Sequence, residues 1–160
     1  MNLYIMRHGI AFDQADWHGT EFDRPLTNEG MARTLKVVTK LKKSGDLAVD
    51  AIWSSPLVRA RQTAEIAASV TGLKVILVDA LQCGADLRDL IQYAQKDPPP
   101  KRLMTVGHEP DCGMILGDLI GEEHGDLAFK RAGIALVEGE LEPGRMKLVW
   151  KYTPKDVLGD

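Results

Sequence analysis

The sequence predicts an α/β fold: a three-layer α/β/α sandwich with a mostly parallel central sheet, helices on both faces and a C-terminal antiparallel hairpin. Three observations carry this. Short apolar runs bounded by turn residues recur along the chain. Stretches with a helical period lie between them. The last two runs have no helix between them and are joined by a Pro-Gly turn. Strands alternating with helices build βαβ units, which place helices over both faces of one sheet.

The elements follow in order. Leu3–Met6, Ala51–Trp53, Val75–Val78 and Leu103–Val106 each have the length of a buried parallel strand. None alternates apolar with polar, so each is expected to be covered on both faces. Helical spacing then marks four apolar faces: Met31, Leu35, Val38 and Leu41; Leu57, Ala60, Ala64, Ala67 and Ala68; Leu87, Leu90, Ile91 and Ala94; and Cys112, Ile115, Leu116 and Leu119. Ile134–Leu141 and Met146–Tyr152 form the hairpin around Glu142-Pro143-Gly144-Arg145, where Pro then Gly suits a type II turn. Residues 1–153 are expected to form a single domain, and the polar residues 154–160 a loose tail. Gly9 to Thr27 has no periodic segment. A connection of that length is expected to be a lid or binding loop, or a surface loop with Phe12, Trp17 and Phe22 tucked down.

Composition narrows the function. Of 160 residues, 44% are hydrophobic and 27% charged, and the net charge is −3. There is no global basic field, which disfavours nucleic acid as a partner. No apolar run approaches the roughly 20 residues of a membrane helix. The start, Met1-Asn2-Leu3-Tyr4-Ile5-Met6-Arg7, reads as a strand and not a signal peptide. Cys83 and Cys112 stand apart, without CxxC spacing, as in a reduced cytoplasmic protein.

In a parallel sheet, ligands bind beyond the carboxyl ends of the strands. The first strand ends in Arg7-His8-Gly9. The second ends in Ser54-Ser55-Pro56, with Arg59 just beyond. The fourth ends in Gly107-His108-Glu109-Pro110. Pro56 and Pro110 stand where helices are expected to begin, so two helix N-termini would add free N–H groups. Arginine's planar fork suits phosphate oxygens. Two Arg, two His and two helix starts make a phosphate site in an acidic protein. Taken singly, each has a bland reading: a satisfied structural His, or an ion-paired Arg. Their meeting at three strand ends favours function.

Metal binding is disfavoured. His8, His18, His108 and His124 show no HxH or HExxH spacing, and arginines flank the two at the sheet edge. Neither cysteine lies in a CxxxxxR loop, and no GxxxxGK[ST] is present. No cofactor is expected.

These residues also resemble a known family. Ile5-Met6-Arg7-His8-Gly9, then Ser54-Ser55-Pro56-Leu57-Val58-Arg59-Ala60-Arg61-Gln62-Thr63-Ala64, then Val106-Gly107-His108-Glu109 are similar to the ordered motifs of the histidine phosphatase superfamily, which includes the cofactor-dependent phosphoglycerate mutases. Arg24-Pro25-Leu26-Thr27-Asn28-Glu29-Gly30 resembles the segment opening that family's first long helix. The resemblance implies that His8 attacks phosphorus and is transiently phosphorylated. Arg7, Arg59 and His108 would hold the phosphoryl oxygens, and water would release inorganic phosphate.

Within the superfamily, the short chain looks most like phosphohistidine phosphatases of the SixA type. Mutases carry Trp-Asn soon after Arg-His-Gly, where this chain has Ile10-Ala11-Phe12-Asp13. They also carry a glutamate acid after the third strand. Here that region reads Asp79-Ala80-Leu81-Gln82-Cys83-Gly84, with Gln82 about where the acid is expected. Asp86 and Glu109 remain candidate acids. Without an acid, an imidazole leaving group is favoured over an alkoxide, because it needs protonation less. A phosphohistidine-bearing protein is then the expected partner. The alternatives are a phosphatase for monoesters, of a small molecule or of phosphoserine, and a non-catalytic phosphate-binding module. Rates on the two substrate classes separate the first two, and turnover separates the third.

Overall fold

The computed structural model describes residues 1–122 and 126–160, so His124 lies outside the described residues. The strands are β1 (Asn2–Arg7), β2 (Ala51–Ser54), β3 (Val75–Leu77), β4 (Arg102–Gly107), β5 (Ile134–Gly139) and β6 (Met146–Tyr152). The helices are α1 (Asn28–Ser44), α2 (Val58–Thr71), α3 (Leu87–Lys96), α4 (Asp111–Ile120) and α5 (Pro154–Leu158). They build the predicted sandwich. The sheet runs β3-β2-β4-β1-β5-β6. Its first four strands are parallel, while β5 runs antiparallel to β1 and β6 antiparallel to β5.

Each face of the sheet has its own core. Leu3, Ile5 and Leu103 pack with Leu87 and Leu90 of α3 and with Ile115, Leu116 and Leu119 of α4. Tyr4, Met6, Met104 and Val106 pack against Val37, Val38 and Leu41 of α1, Ala60, Ala64 and Ala67 of α2, and Val157 of α5. Successive residues of β1 and β4 therefore serve opposite cores, which is why these strands read as unbroken apolar runs. The alanines of α2 hold that helix close to the sheet.

Four expectations need correction. The edge strand β3 is not covered on both faces: Ile76 and Leu77 are exposed. On α1 the buried residues are Gly30, Thr34, Val37, Val38 and Leu41, and Leu35 is 46% exposed. The face is rotated because the carbonyl of Ile10 lies against Gly30, where a Cβ would collide with it. Residues 154–160 are not loose. Thr153 and Asp156 form a capping box on α5, Pro154 and Val157 are buried, and Arg33 Nη1 bonds Asp160 at 2.7 Å. Thr-Pro-x-Asp places a cap, a first-turn proline and a third-position acceptor together. Finally, β5 ends at Gly139, short of Leu141. The turn is type II as expected: Gly144 has φ +70°, and Arg145 N–H donates to Glu142 O at 3.1 Å.

Candidate active site

Sheet register builds the site. Ser54 lies level with Val106, and Arg7 with Gly107, so β2, β4 and β1 end at one height. The residues that follow them enclose a cavity of about 510 Å³ lined by Arg7, His8, Arg59, His108 and Glu109. The 9–27 loop adds Asp13, Glu21 and Arg24. Cys83 and Arg131 complete the rim.

His8 is held by its backbone on both sides. Its N–H donates to Gly107 O at 3.0 Å, and its carbonyl accepts from Ala132 N–H at 3.0 Å. Its ring Nδ1 lies 2.7 Å from Gly9 O. A carbonyl only accepts, so Nδ1 carries the proton and Nε2 keeps its lone pair. Burial pushes the ring down to about 3, helped by His108, Arg59 and Arg7 and opposed by the Gly9 bond. His8 is thus a neutral imidazole with one defined free nitrogen, as a nucleophile requires. Gly9 is part of this support: its N–H donates to Thr63 Oγ1 at 3.0 Å, and that hydroxyl donates to Arg59 O at 2.8 Å. One threonine therefore ties the His8 loop to the helix bearing Arg59.

The other groups are half committed. Arg7 Nη1 donates to Phe129 O at 2.8 Å, and Arg59 Nη1 donates to Glu21 O at 2.9 Å. His108 Nε2 lies 2.8 Å from Ser55 Oγ, which accepts from Leu57 N–H at 3.2 Å. Burial, then Arg59, Arg24 and Arg7, push His108 down to about 4. Arg7 Nε, Arg59 Nε and His108 Nδ1 are buried and have no hydrogen-bond partner. Such orphans are rare and costly. All three residues line this cavity, and guanidinium and imidazole N–H groups donate to oxyanions.

The candidate acids separate. Asp86 caps α3 through Asp89 N–H at 2.9 Å and borders a different cavity, so it is no part of this site. Its Asp-x-x-Asp position is a helix start. Glu109 lines the site, with Oε1 accepting from Gly113 N–H at 2.9 Å. Gln82 points away to Asp79 at 3.3 Å, and Cys83 reaches the cavity in its place, 3.7 Å from Arg59 Nη2. Asp111 sets this arrangement by accepting from Gly84 N–H at 2.9 Å. The sequence reading missed Glu21. Its carboxylate lies 2.7 Å from Arg24 and 3.2 Å from Arg59. The Arg24 bond holds it below the usual carboxylate range.

The helix starts also differ from expectation. Pro56 precedes α2 by two residues and Pro110 is the cap of α4. Their first N–H groups are not all free. Phe22 O takes Val58 N–H at 3.0 Å, and His108 O takes Cys112 N–H at 2.8 Å. Positive charge at the cavity comes chiefly from guanidinium groups. The 9–27 loop therefore closes the start of α2 with its own backbone, while Phe12 and Phe22 stay exposed. Sequence held one signal for the missed residues: Arg24 opens the Arg-Pro-Leu-Thr segment. Ser55 and Thr63 stood inside the Ser54–Ala64 motif without a role of their own, and Arg131 had no signal.

Among the described residues no group of three His, Cys, Asp or Glu is placed to hold a metal ion, and no helix is long and apolar enough to cross a membrane.

Comparison with known proteins agrees with this picture. The family model of the histidine phosphatase superfamily (branch 1) matches residues 3–82. An uncharacterized protein of Picosynechococcus sp. PCC 7002 is 39% identical over 138 residues, covering 84% of this chain and 82% of that protein. The solved structure of the protein histidine phosphatase SixA complexed with tungstate superposes with a TM-score of 0.81 at 24% identity, over 96% of this chain and 97% of that one. Phosphoserine phosphatase of Entamoeba histolytica, with 3-phosphoglyceric acid bound, superposes with a TM-score of 0.71 at 18% identity, over 98% and 99% of the two chains. Both likenesses are of fold.

Proposed function

The chain belongs to the histidine phosphatase superfamily, and from that premise we propose that it hydrolyses phosphohistidine on a protein through a phospho-His8 intermediate. The observation that carries this is the meeting of a neutral His8, its proton fixed on Nδ1, with three buried donors that lack partners. His8 Nε2 attacks phosphorus and the P–N bond breaks, the substrate imidazole taking the bond's electron pair and leaving neutral because its other ring nitrogen already carries a proton. Arg7, Arg59 and His108 hold the equatorial oxygens as charge shifts. Water then attacks phospho-His8, giving inorganic phosphate and neutral His8.

The leaving group favours phosphohistidine. An imidazole departs without strong acid help, whereas an alkoxide gains about 10²–10⁴-fold from a proton donor. Glu21 is held ionised by Arg24 and cannot donate. Gln82 faces elsewhere. The fold matches that of the SixA protein histidine phosphatase end to end, with no room in the chain for a large capping insert.

A second reading, a phosphomonoesterase, draws on Asp13 and Glu109 at the cavity wall and on the fold shared with phosphoserine phosphatase. The test compares phosphate release from phosphohistidine, phosphoserine and a sugar phosphate, for wild type and His8→Ala. We expect release from phosphohistidine only, lost in the variant. Equal release by wild type and variant overturns the nucleophile. Equal rates on phosphoserine overturn the substrate class. Binding of phosphate without turnover makes the protein a binding module.

A further inference from the structure

Beside the catalytic cavity lies a second hollow of about 380 Å³, and Arg131 lines both. Ile10 and Pro154 form part of its wall, and Lys130, Lys155 and Arg33 supply cations. No carboxylate lines it among the described residues. Asp160 neutralises Arg33 through bonds of 2.7 and 3.1 Å. Lys130, Arg131 and Lys155 are exposed and form no ion pair among the described residues. In a chain of net charge −3, Lys130 and Arg131, with Lys155 whose field also reaches Asp156 and Asp160, make a local concentration of cations around one hollow.

The backbone makes this surface stiff. Residues 130–133 form a tight turn, with Gly133 N–H donating to Lys130 O at 2.7 Å and Ala132 at φ +61°. The same turn grips the catalytic strand. Ala132 N–H donates to His8 O, and Gly133 O accepts from Arg7 N–H, both at 3.0 Å. On the far side, Lys155 sits in the first turn of α5, fixed by the Thr153–Asp156 capping box. Neither carrier is a floppy tail, so the charges hold their places relative to His8.

Resting on the phosphatase function proposed above, we propose that this hollow docks an acidic segment next to the phosphohistidine of a protein substrate. Carboxylates of that segment would face Lys130, Arg131 and Lys155, while an apolar side chain covers Ile10 and Pro154. The apolar wall suits a polypeptide better than a phosphodiester backbone. Charge complementarity of this kind acts on encounter and KM more than on the chemical step.

The test uses Lys130→Glu/Lys155→Glu, which leaves Arg131 and the cavity intact. Three substrates are compared: free phosphohistidine, a phosphohistidine peptide flanked by Asp and Glu, and the same peptide flanked by Asn and Gln. For the acidic peptide we expect KM to rise roughly three- to tenfold with kcat unchanged. Free phosphohistidine and the neutral peptide should keep wild-type values, and added salt should shrink the difference. An unchanged KM on the acidic peptide, or an equal rise on all three substrates, overturns the docking proposal alone. A wild type inert on free phosphohistidine and both peptides overturns the substrate reading, and this proposal with it.

Discussion

Glu21 grips Arg59 twice: its backbone carbonyl accepts from Nη1 at 2.9 Å, and its carboxylate lies 3.2 Å from Nη2. The carboxylate thus stands on a guanidinium that the proposed phosphoryl site also uses. Phosphate must compete with it, and the loop carbonyl keeps Arg59 in place meanwhile. Glu21→Gln should therefore bind inorganic phosphate more tightly, by about three- to tenfold at low salt, because the competing charge is gone and the backbone grip remains. Product-inhibition constants measure this. Weaker inhibition in the variant would mean that the carboxylate supports Arg59 instead of competing for it.

The two histidines set a pH dependence with a definite sign. Folded, His8 and His108 stay neutral down to about 3 and about 4. Unfolded, a histidine takes its proton near 6.5. Between those limits the unfolded chain binds more protons, so stability falls as pH drops below about 6.5. The slope is up to about 1.4 kcal/mol per pH unit for each ring. Above that pH these rings contribute no slope. His8→Asn should flatten the fall, as read from denaturant midpoints between pH 4 and 7. NMR titration should place both ring midpoints well below 6.5, and bound vanadate should raise them.

Gly9 owes its identity to space. A Cβ there would collide with Thr34 Oγ1, a buried hydroxyl that has no hydrogen-bond partner. Gly9→Ala should cost about 1–3 kcal/mol through overpacking and lower activity by moving His8. Adding Thr34→Ala removes the obstacle and should recover much of both losses. A double variant no better than Gly9→Ala would show that the cost is not this contact.

Ser55 positions His108. Without the hydroxyl, Nε2 would join Nδ1 as a second unpartnered ring nitrogen, and a buried unsatisfied group costs about 1–3 kcal/mol. Ser55→Ala should keep its circular dichroism spectrum and lose about tenfold or more in kcat/KM. Ser55→Thr, which restores the hydroxyl, should recover part of it. Full activity in Ser55→Ala would remove the serine from the mechanism.

What was legible in the sequence followed from strand physics. Parallel strands buried on both faces announce themselves as apolar runs, and their carboxyl ends carried Arg7, His8, Arg59 and His108. What was not legible depends on loops. Glu21 reaches Arg59 only because the 9–27 loop folds back, with Phe12 N–H on Pro25 O at 3.0 Å and Leu26 N–H on Gln62 Oε1 at 2.8 Å. Cys83 replaces Gln82 at the cavity because Asp111 fixes Gly84 from another element. The helix-start N–H groups looked available because the carbonyl that caps Val58 lies 36 residues earlier in the chain. Such choices rest on partners distant in sequence, which local pattern does not carry.

The neighbours of β1 have a consequence for when the protein becomes active during synthesis. The strand leading into His8 is made before both of its sheet neighbours, yet it pairs with Arg102–Gly107 on one side and Ile134–Gly139 on the other. Both partners leave the ribosome after α1, β2, α2, β3 and α3. The first strand must wait for these later ones, and such long-range pairing slows folding. A nascent chain halted before residue 130 holds the Arg-His-Gly tripeptide but lacks the turn that anchors His8. The proposed activity therefore waits until β5 has been made, as a single late event.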